Sequence, residues 1–112
     1  MKRTELAPVD IAAFLTQFME ALNRRFVKHG NGAFVSPHEG LGVCFEEHIE
    51  LIDAVKSNDR SAVREEAMDN AVAGAMVWMS VKTWEDAKGP YEAHIESTVT
   101  NTLGVFREDG NG

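Results

Sequence analysis

Two acidic pairs in this 112-residue chain have the types and spacing to do chemistry. Glu47 and Glu50 lie in the run Glu46-Glu47-His48-Ile49-Glu50, and Glu66 and Asp69 lie in Glu66-Ala67-Met68-Asp69. Each pair is spaced i, i+3, which puts both carboxylates on one face of a helix. If the two segments are antiparallel helices joined by the short turn between them, four carboxylates converge on one volume. A hard divalent cation suits such a group, because it takes oxygen ligands and keeps positions open for water or phosphate. Without a cation the same four groups repel one another, and some have to protonate. Glu-rich helices are often just solvated surfaces with a basic residue one turn on. Here Glu47, Glu50 and Glu66 are followed four residues later by Leu51, Ala54 and Asn70.

The elements that must position these pairs are helical, and the whole chain reads as a single all-α domain. The first helix spans about residues 10–28. Ile11, Phe14, Leu15, Phe18, Met19, Leu22 and Phe26 form one apolar stripe at helical period, with Asp10 as the cap and Gly30 after the end. Gly30-Asn31-Gly32 is a loop by its turn chemistry. The second helix spans about 36–57 and opens with Ser36-Pro37-His38-Glu39, a capping box with proline at the first helical position. Gly40 and Gly42 each weaken its first turns by about 1 kcal/mol against alanine, so close approach of another segment or a ligand is expected there. The Ser57-Asn58-Asp59 turn leads to a third helix over about 60–83. Its residues, from Ala67 through Val72 and Met76 to Val81, are apolar on nearly all sides. Such a helix is buried all round, which a dimer of helical hairpins achieves more readily than a monomer of this size. Lys88-Gly89-Pro90 breaks the chain, a fourth helix is expected over about 91–103, and the tail at 107–112 reads as disordered.

Composition narrows the function. Acidic residues outnumber basic ones by 18 to 11, a net charge of −7, which disfavours nucleic acid as a partner. Surplus carboxylates and a polyanionic substrate are compatible only through a bound cation. Cys44 is the single cysteine, which excludes an intrachain disulfide and a thiolate zinc site and reads as a structural thiol. No apolar run approaches the roughly 18 residues of a membrane span, and Met1-Lys2-Arg3-Thr4-Glu5 does not read as a signal peptide. A reducing cytoplasm fits these features. A carboxylate-bridged di-iron bundle would need Glu-x-x-His pairs, and no Glu here has His three residues later.

Glu46-Glu47-x-x-Glu50, an interval over residues 51–65 and then Glu66-x-x-Asp69 together resemble the EExxE…ExxD signature of the MazG-like all-α nucleoside triphosphate pyrophosphohydrolases. That superfamily includes dimeric dUTPases and dCTP pyrophosphatases. Ser36-Pro37-His38-Glu39-Gly40 is similar to the Ser-x-His-Glu-Gly element of a bacterial and phage subgroup. The resemblance covers roughly residues 10–83 and is most specific over 36–70. It implies a four-helix bundle completed by dimerisation, as a homodimer or tetramer. It also implies cleavage of a nucleoside triphosphate to the monophosphate and pyrophosphate. Mg²⁺, with Mn²⁺ as an alternative, would be held by Glu47, Glu50, Glu66 and Asp69. Glu46 would be an outer carboxylate orienting a water, and Glu46 or Glu47 the catalytic base. The chain departs from many relatives in having Met68 and Asn70 beside Asp69. Some members with the His-Glu-Gly opening lack the aspartate, so a non-catalytic nucleotide-binding or dimeric interaction protein is the alternative.

Substrate contacts are the least legible part. Lys56 and Lys82 are the candidates for the triphosphate. Phe34 and His38, where the loop enters the second helix, are candidates for the base. For Phe34 the competing role is a hydrophobic staple at the helix entry. Trp78 and Trp84 read as core or interface residues, and His48 and His94 as structural or exposed.

Overall fold

The computed structural model describes residues 2–85. The fourth helix expected at 91–103 and the tail at 107–112 lie outside the described residues. Within them the chain forms helices α1 (Pro8–His29), α2 (Pro37–Ser57) and α3 (Arg60–Ser80), followed by a 3₁₀ turn at Val81–Thr83.

Local chemistry sets each boundary. α1 starts two residues earlier than Asp10. Pro8 takes the first helical position, where its missing N–H costs nothing, and the Asp10 carboxylate accepts the Ala7 N–H at 2.7 Å. Asp10 is thus an acceptor in the first turn rather than the cap. Gly30 closes α1 with φ +80°, a conformation that glycine adopts without a Cβ penalty. At α2, Ser36 Oγ accepts the Glu39 N–H at 3.2 Å, while the Glu39 carboxylate accepts the Val35 N–H at 2.8 Å. The return bond of the capping box therefore reaches one residue further out than Ser36.

The turn between α2 and α3 is equally determined. Asn58 takes the left-handed conformation at φ 60°, which asparagine tolerates better than most residues. Asp59 then caps α3 by accepting the N–H groups of Ser61 and Ala62 at 2.9 and 3.2 Å. This two-residue reversal lays α2 and α3 antiparallel along each other, with Gly40 opposite Val77 and Glu47 opposite Asn70.

The core is small: Ala21, Phe34, Ala54, Val72, Ala73 and Met76, with Ser80 at 1% exposure. Ser80 Oγ accepts the Phe34 N–H at 2.9 Å and donates to the Met76 carbonyl at 2.6 Å, so this buried hydroxyl is satisfied. Trp84 Nε1 donates to the Phe34 carbonyl at 2.8 Å. Phe34 is thereby tied to the end of α3 through both its backbone groups, and the α1–α2 loop with it. Gly40 is needed for that packing. A Cβ there would stand 3.0 Å from Val77 Cγ2 and 3.3 Å from Phe34 Cδ2. Gly42, expected to be as constrained, has nothing within 4 Å of the same position.

α1 rests on α3 through its C-terminal half, where Ala21 is buried and Leu22, Arg25 and Phe26 are half-buried. The predicted α1 stripe exists, but its N-terminal part is uncovered. Ile11, Phe14, Leu15 and Met19 are exposed, and Phe14 stacks only on Phe18, with ring centroids 5.7 Å apart. A second stripe along α2, Leu41, Phe45, Ile49 and Ile52, is exposed too. α3 buries one face, Val72, Ala73, Met76 and Ser80, while Ala67 and Gly74 stay exposed. Among the described residues α3 is therefore not buried on all sides. Among the described residues no helix is long and apolar enough to cross a membrane.

The two glycines should respond in opposite ways. Gly40→Ala should destabilise in denaturant unfolding, because overpacking costs about 1–3 kcal/mol and the pinned Phe34 has little room to yield. Gly42→Ala should stabilise by up to about 1 kcal/mol through helix propensity. Equal stabilisation by both would contradict the close approach of α2 to Val77 and Phe34.

Candidate metal centre

The α2–α3 reversal does what the i, i+3 pairs require. Glu47 and Glu50 from α2 and Glu66 and Asp69 from α3 each offer a carboxylate oxygen, and these oxygens all lie within 4.8 Å of one another. Opposed oxygens around a hard divalent ion sit about 4.2–5 Å apart for metal–oxygen bonds of roughly 2.1–2.5 Å. The group could therefore close on such an ion with little movement. Glu47 and Glu66 are half-buried, and Glu50 and Asp69 are exposed, so the centre has a closed and an open side.

Asn70 holds the two helices in register at this level. Its Nδ2 donates to the Glu47 carbonyl at 2.9 Å and to the Glu66 carbonyl at 2.8 Å. One side chain thus joins the backbone of one acidic residue of the cluster on α2 to that of another on α3. In the sequence Asn70 figures as the non-basic residue one turn after Glu66 and as a departure from a family pattern, not as a link between helices. Nothing local marks it, because its partner on α2 lies 23 residues away.

The electrostatics show what the arrangement costs. Glu47 Oε2 and Glu66 Oε2 are buried with no hydrogen-bond partner. Burial, then the charges of Asp69 and Glu50, push the Glu66 carboxyl up to about 7. Burial and then the Glu50 and Asp69 charges also raise Glu47. Asp69 is raised mainly by burial, although a hydrogen bond with Glu66 and the nearby Arg24 charge pull the other way. Partly buried, mutually repelling carboxylates with orphaned oxygens are relieved by a divalent cation or by protons. This donor set contains only carboxylate oxygens and so fits a hard cation.

Glu46 lies beside the cluster, exposed, and its charge adds to the upward shift of Glu47. The residues expected to contact substrate are more scattered. Phe34 is 5% exposed and sits in the core, with the Arg25 guanidinium 5.5 Å from its ring centroid, so its packing role is the one realised. His38 is exposed in the first turn of α2, Lys56 in the last, and Lys82 on the 3₁₀ turn. None of these three lines the cavity next to the carboxylates. That cavity, about 370 Å³, is lined instead by Arg24, Arg25, Lys28 and His29 of α1 together with Glu47 and Asp69. Sequence reading missed these cations. The one signal is their spacing, i, i+1, i+4 and i+5, which groups them on one side of α1. Basic residues near a helix C-terminus are ordinarily explained by the helix dipole.

Comparison with models of known protein families, with characterised proteins and with solved structures gives no match. The centre is read from its own geometry.

A carboxyl that holds its proton more tightly in the folded chain contributes stability at low pH. For Glu66 that contribution is lost as pH rises from the unfolded value of 4.5 through about 7. In EDTA, thermal stability should therefore fall between about pH 5 and about pH 8. Glu66→Gln should lessen that fall and exceed the parent protein in stability at the alkaline end. Identical pH profiles for the two proteins would show that Glu66 is not under this strain.

Proposed function

We propose that the chain is a Mg²⁺-dependent nucleoside triphosphate pyrophosphohydrolase, with Mn²⁺ able to replace Mg²⁺. The observation that carries this reading is the convergence of four carboxylates within 4.8 Å, two of them with buried, unpartnered oxygens. The match of their order and spacing to the MazG-like signature supplies the reaction class.

Glu47, Glu50, Glu66 and Asp69 would hold the ion. When bound, it supplies Lewis-acid neutralisation of the phosphate oxygens. Glu46, exposed and next to Glu47, would take a proton from the attacking water, with Glu47 as the other candidate base. The water oxygen bonds to the α-phosphorus, and the bond from that phosphorus to the α–β bridging oxygen breaks. The products are a nucleoside monophosphate and pyrophosphate, which leaves with the electron pair.

The same reading includes a second copy of the chain, giving a homodimer or a tetramer in which a four-helix bundle is completed. The exposed apolar stripes on α1 and α2 among the described residues support it, because exposed apolar residues sharing one helix face suit contact with another protein surface. The single cysteine and the net charge of −7 suit a cytoplasmic setting and a small-molecule substrate rather than a nucleic acid or a membrane.

Each of the eight common ribo- and deoxyribonucleoside triphosphates, incubated with Mg²⁺ or Mn²⁺, provides the test. At least one should release pyrophosphate. Glu50→Gln and Asp69→Asn should each lower that rate on the order of 100-fold, since even outer-shell changes at metal sites cost about 10–100-fold. Nucleotide binding with no product would select a non-catalytic nucleotide-binding module. Full activity in both variants would remove the ligand assignment.

A further inference from the structure

The cavity beside the carboxylates joins two chemistries. Glu47 and Asp69 belong both to the acidic cluster and to the cavity wall, so the cluster opens into it. The last two turns of α1 contribute Arg24, Arg25 and Lys28 to the same wall. Two independent features point to an occupant. Arg25 Nε is buried with no hydrogen-bond partner, although the guanidinium is held over the Phe34 ring at 5.5 Å. The ring is itself fixed, since the backbone groups of Phe34 are hydrogen-bonded to Ser80 at the end of α3 and to Trp84 just beyond the 3₁₀ turn. A guanidinium held over a fixed aromatic ring loses little freedom when its N–H groups find acceptors. The second feature is size, because about 370 Å³ lies within the range of small-ligand pockets.

Charge identifies the class of ligand. Four ionised carboxylates around one divalent ion leave the centre at minus two, which would repel a polyphosphate. The three cations of the α1 wall offset that charge on the side of the cavity, while Glu46 and Glu65 add negative charge beside the cluster. We propose that Arg24, Arg25 and Lys28 form the anion-binding half of a two-part site, receiving the phosphoryl chain of a polyphosphate whose oxygens also reach the ion. The assignment rests on the hydrolase reading for that ion, but not on the nature of the base. The ligand feature recognised here is the phosphoryl chain alone, so inorganic tripolyphosphate should bind without any nucleoside.

Calorimetry of the full chain with inorganic tripolyphosphate at fixed free Mn²⁺, beside a separate Mn²⁺ titration, tests this. Arg24→Ala/Lys28→Ala should bind tripolyphosphate at least about tenfold more weakly while its Mn²⁺ affinity does not fall, since the Arg24 charge acts on Asp69 and opposes a cation there. Arg25→Lys, which keeps the charge over Phe34, should retain most of the binding that Arg25→Ala loses. Unchanged tripolyphosphate affinity in the double variant, with Mn²⁺ still bound, would overturn the anion wall and leave the metal reading standing. No tripolyphosphate binding by the parent protein would also overturn it. Binding that needs Arg24 and Lys28 in a protein with no affinity for Mn²⁺ would support the wall and remove the metal reading instead.

Discussion

Four carboxylates kept within 4.8 Å of one another are under mutual repulsion, and the fold has to hold them there. The restraint is the α2–α3 pair. At one end Asn58 and Asp59 reverse the chain in two residues and cap α3. At the level of the acids, Asn70 joins the Glu47 and Glu66 backbones. Beyond them, Gly40 lets α2 approach Val77 and Phe34 closely. Each of these contacts acts on backbone position rather than on the acid side chains. The ligand-bearing turns stay in register while the side chains remain free to exchange protons for a cation.

α1 has a different relation to this pair. Its one buried residue, Ala21, lies in the C-terminal half, and that half brings the basic residues to the mouth of the acidic centre. Its N-terminal half exposes an apolar stripe, and α2 exposes another. A chain with so small a core gains from covering those stripes, since each apolar square ångström removed from water is worth roughly 25 cal/mol. These are the surfaces that the proposed second copy would cover. On this view assembly and site formation are linked through α1, which carries both the uncovered stripe and the cationic wall.

What was legible in the sequence was local. The Ser36-Pro37-His38-Glu39 box and the i, i+3 acidic pairs involve residues within a turn of each other; the structure realises the acidic pairs and the Ser36 half of the box, while the Glu39 carboxylate accepts from Val35 instead of Ser36. The α1 stripe was legible as a pattern but not as a burial, because periodicity tells which residues share a face and not whether the chain covers it. The start of α1 was misread because Asp10 resembles a cap, whereas Pro8 at the first position with an acid two residues later is the arrangement adopted. Contacts between distant segments were invisible. Phe34 with Ser80 and Trp84, Arg25 over Phe34, and Asn70 on Glu47 each span elements that only tertiary packing brings together. For that reason Lys56 and Lys82 were favoured as the cations near substrate, while Arg24, Arg25 and Lys28 went unnoticed.

The central claim is that Glu47, Glu50, Glu66 and Asp69 share one divalent cation. The direct measurement is a crystal grown with Mn²⁺ and examined by anomalous scattering. The account predicts an anomalous peak enclosed by the four side chains, with oxygens from them about 2.2 Å away. No peak at that position, with the four carboxyl groups turned apart into solvent, would contradict it.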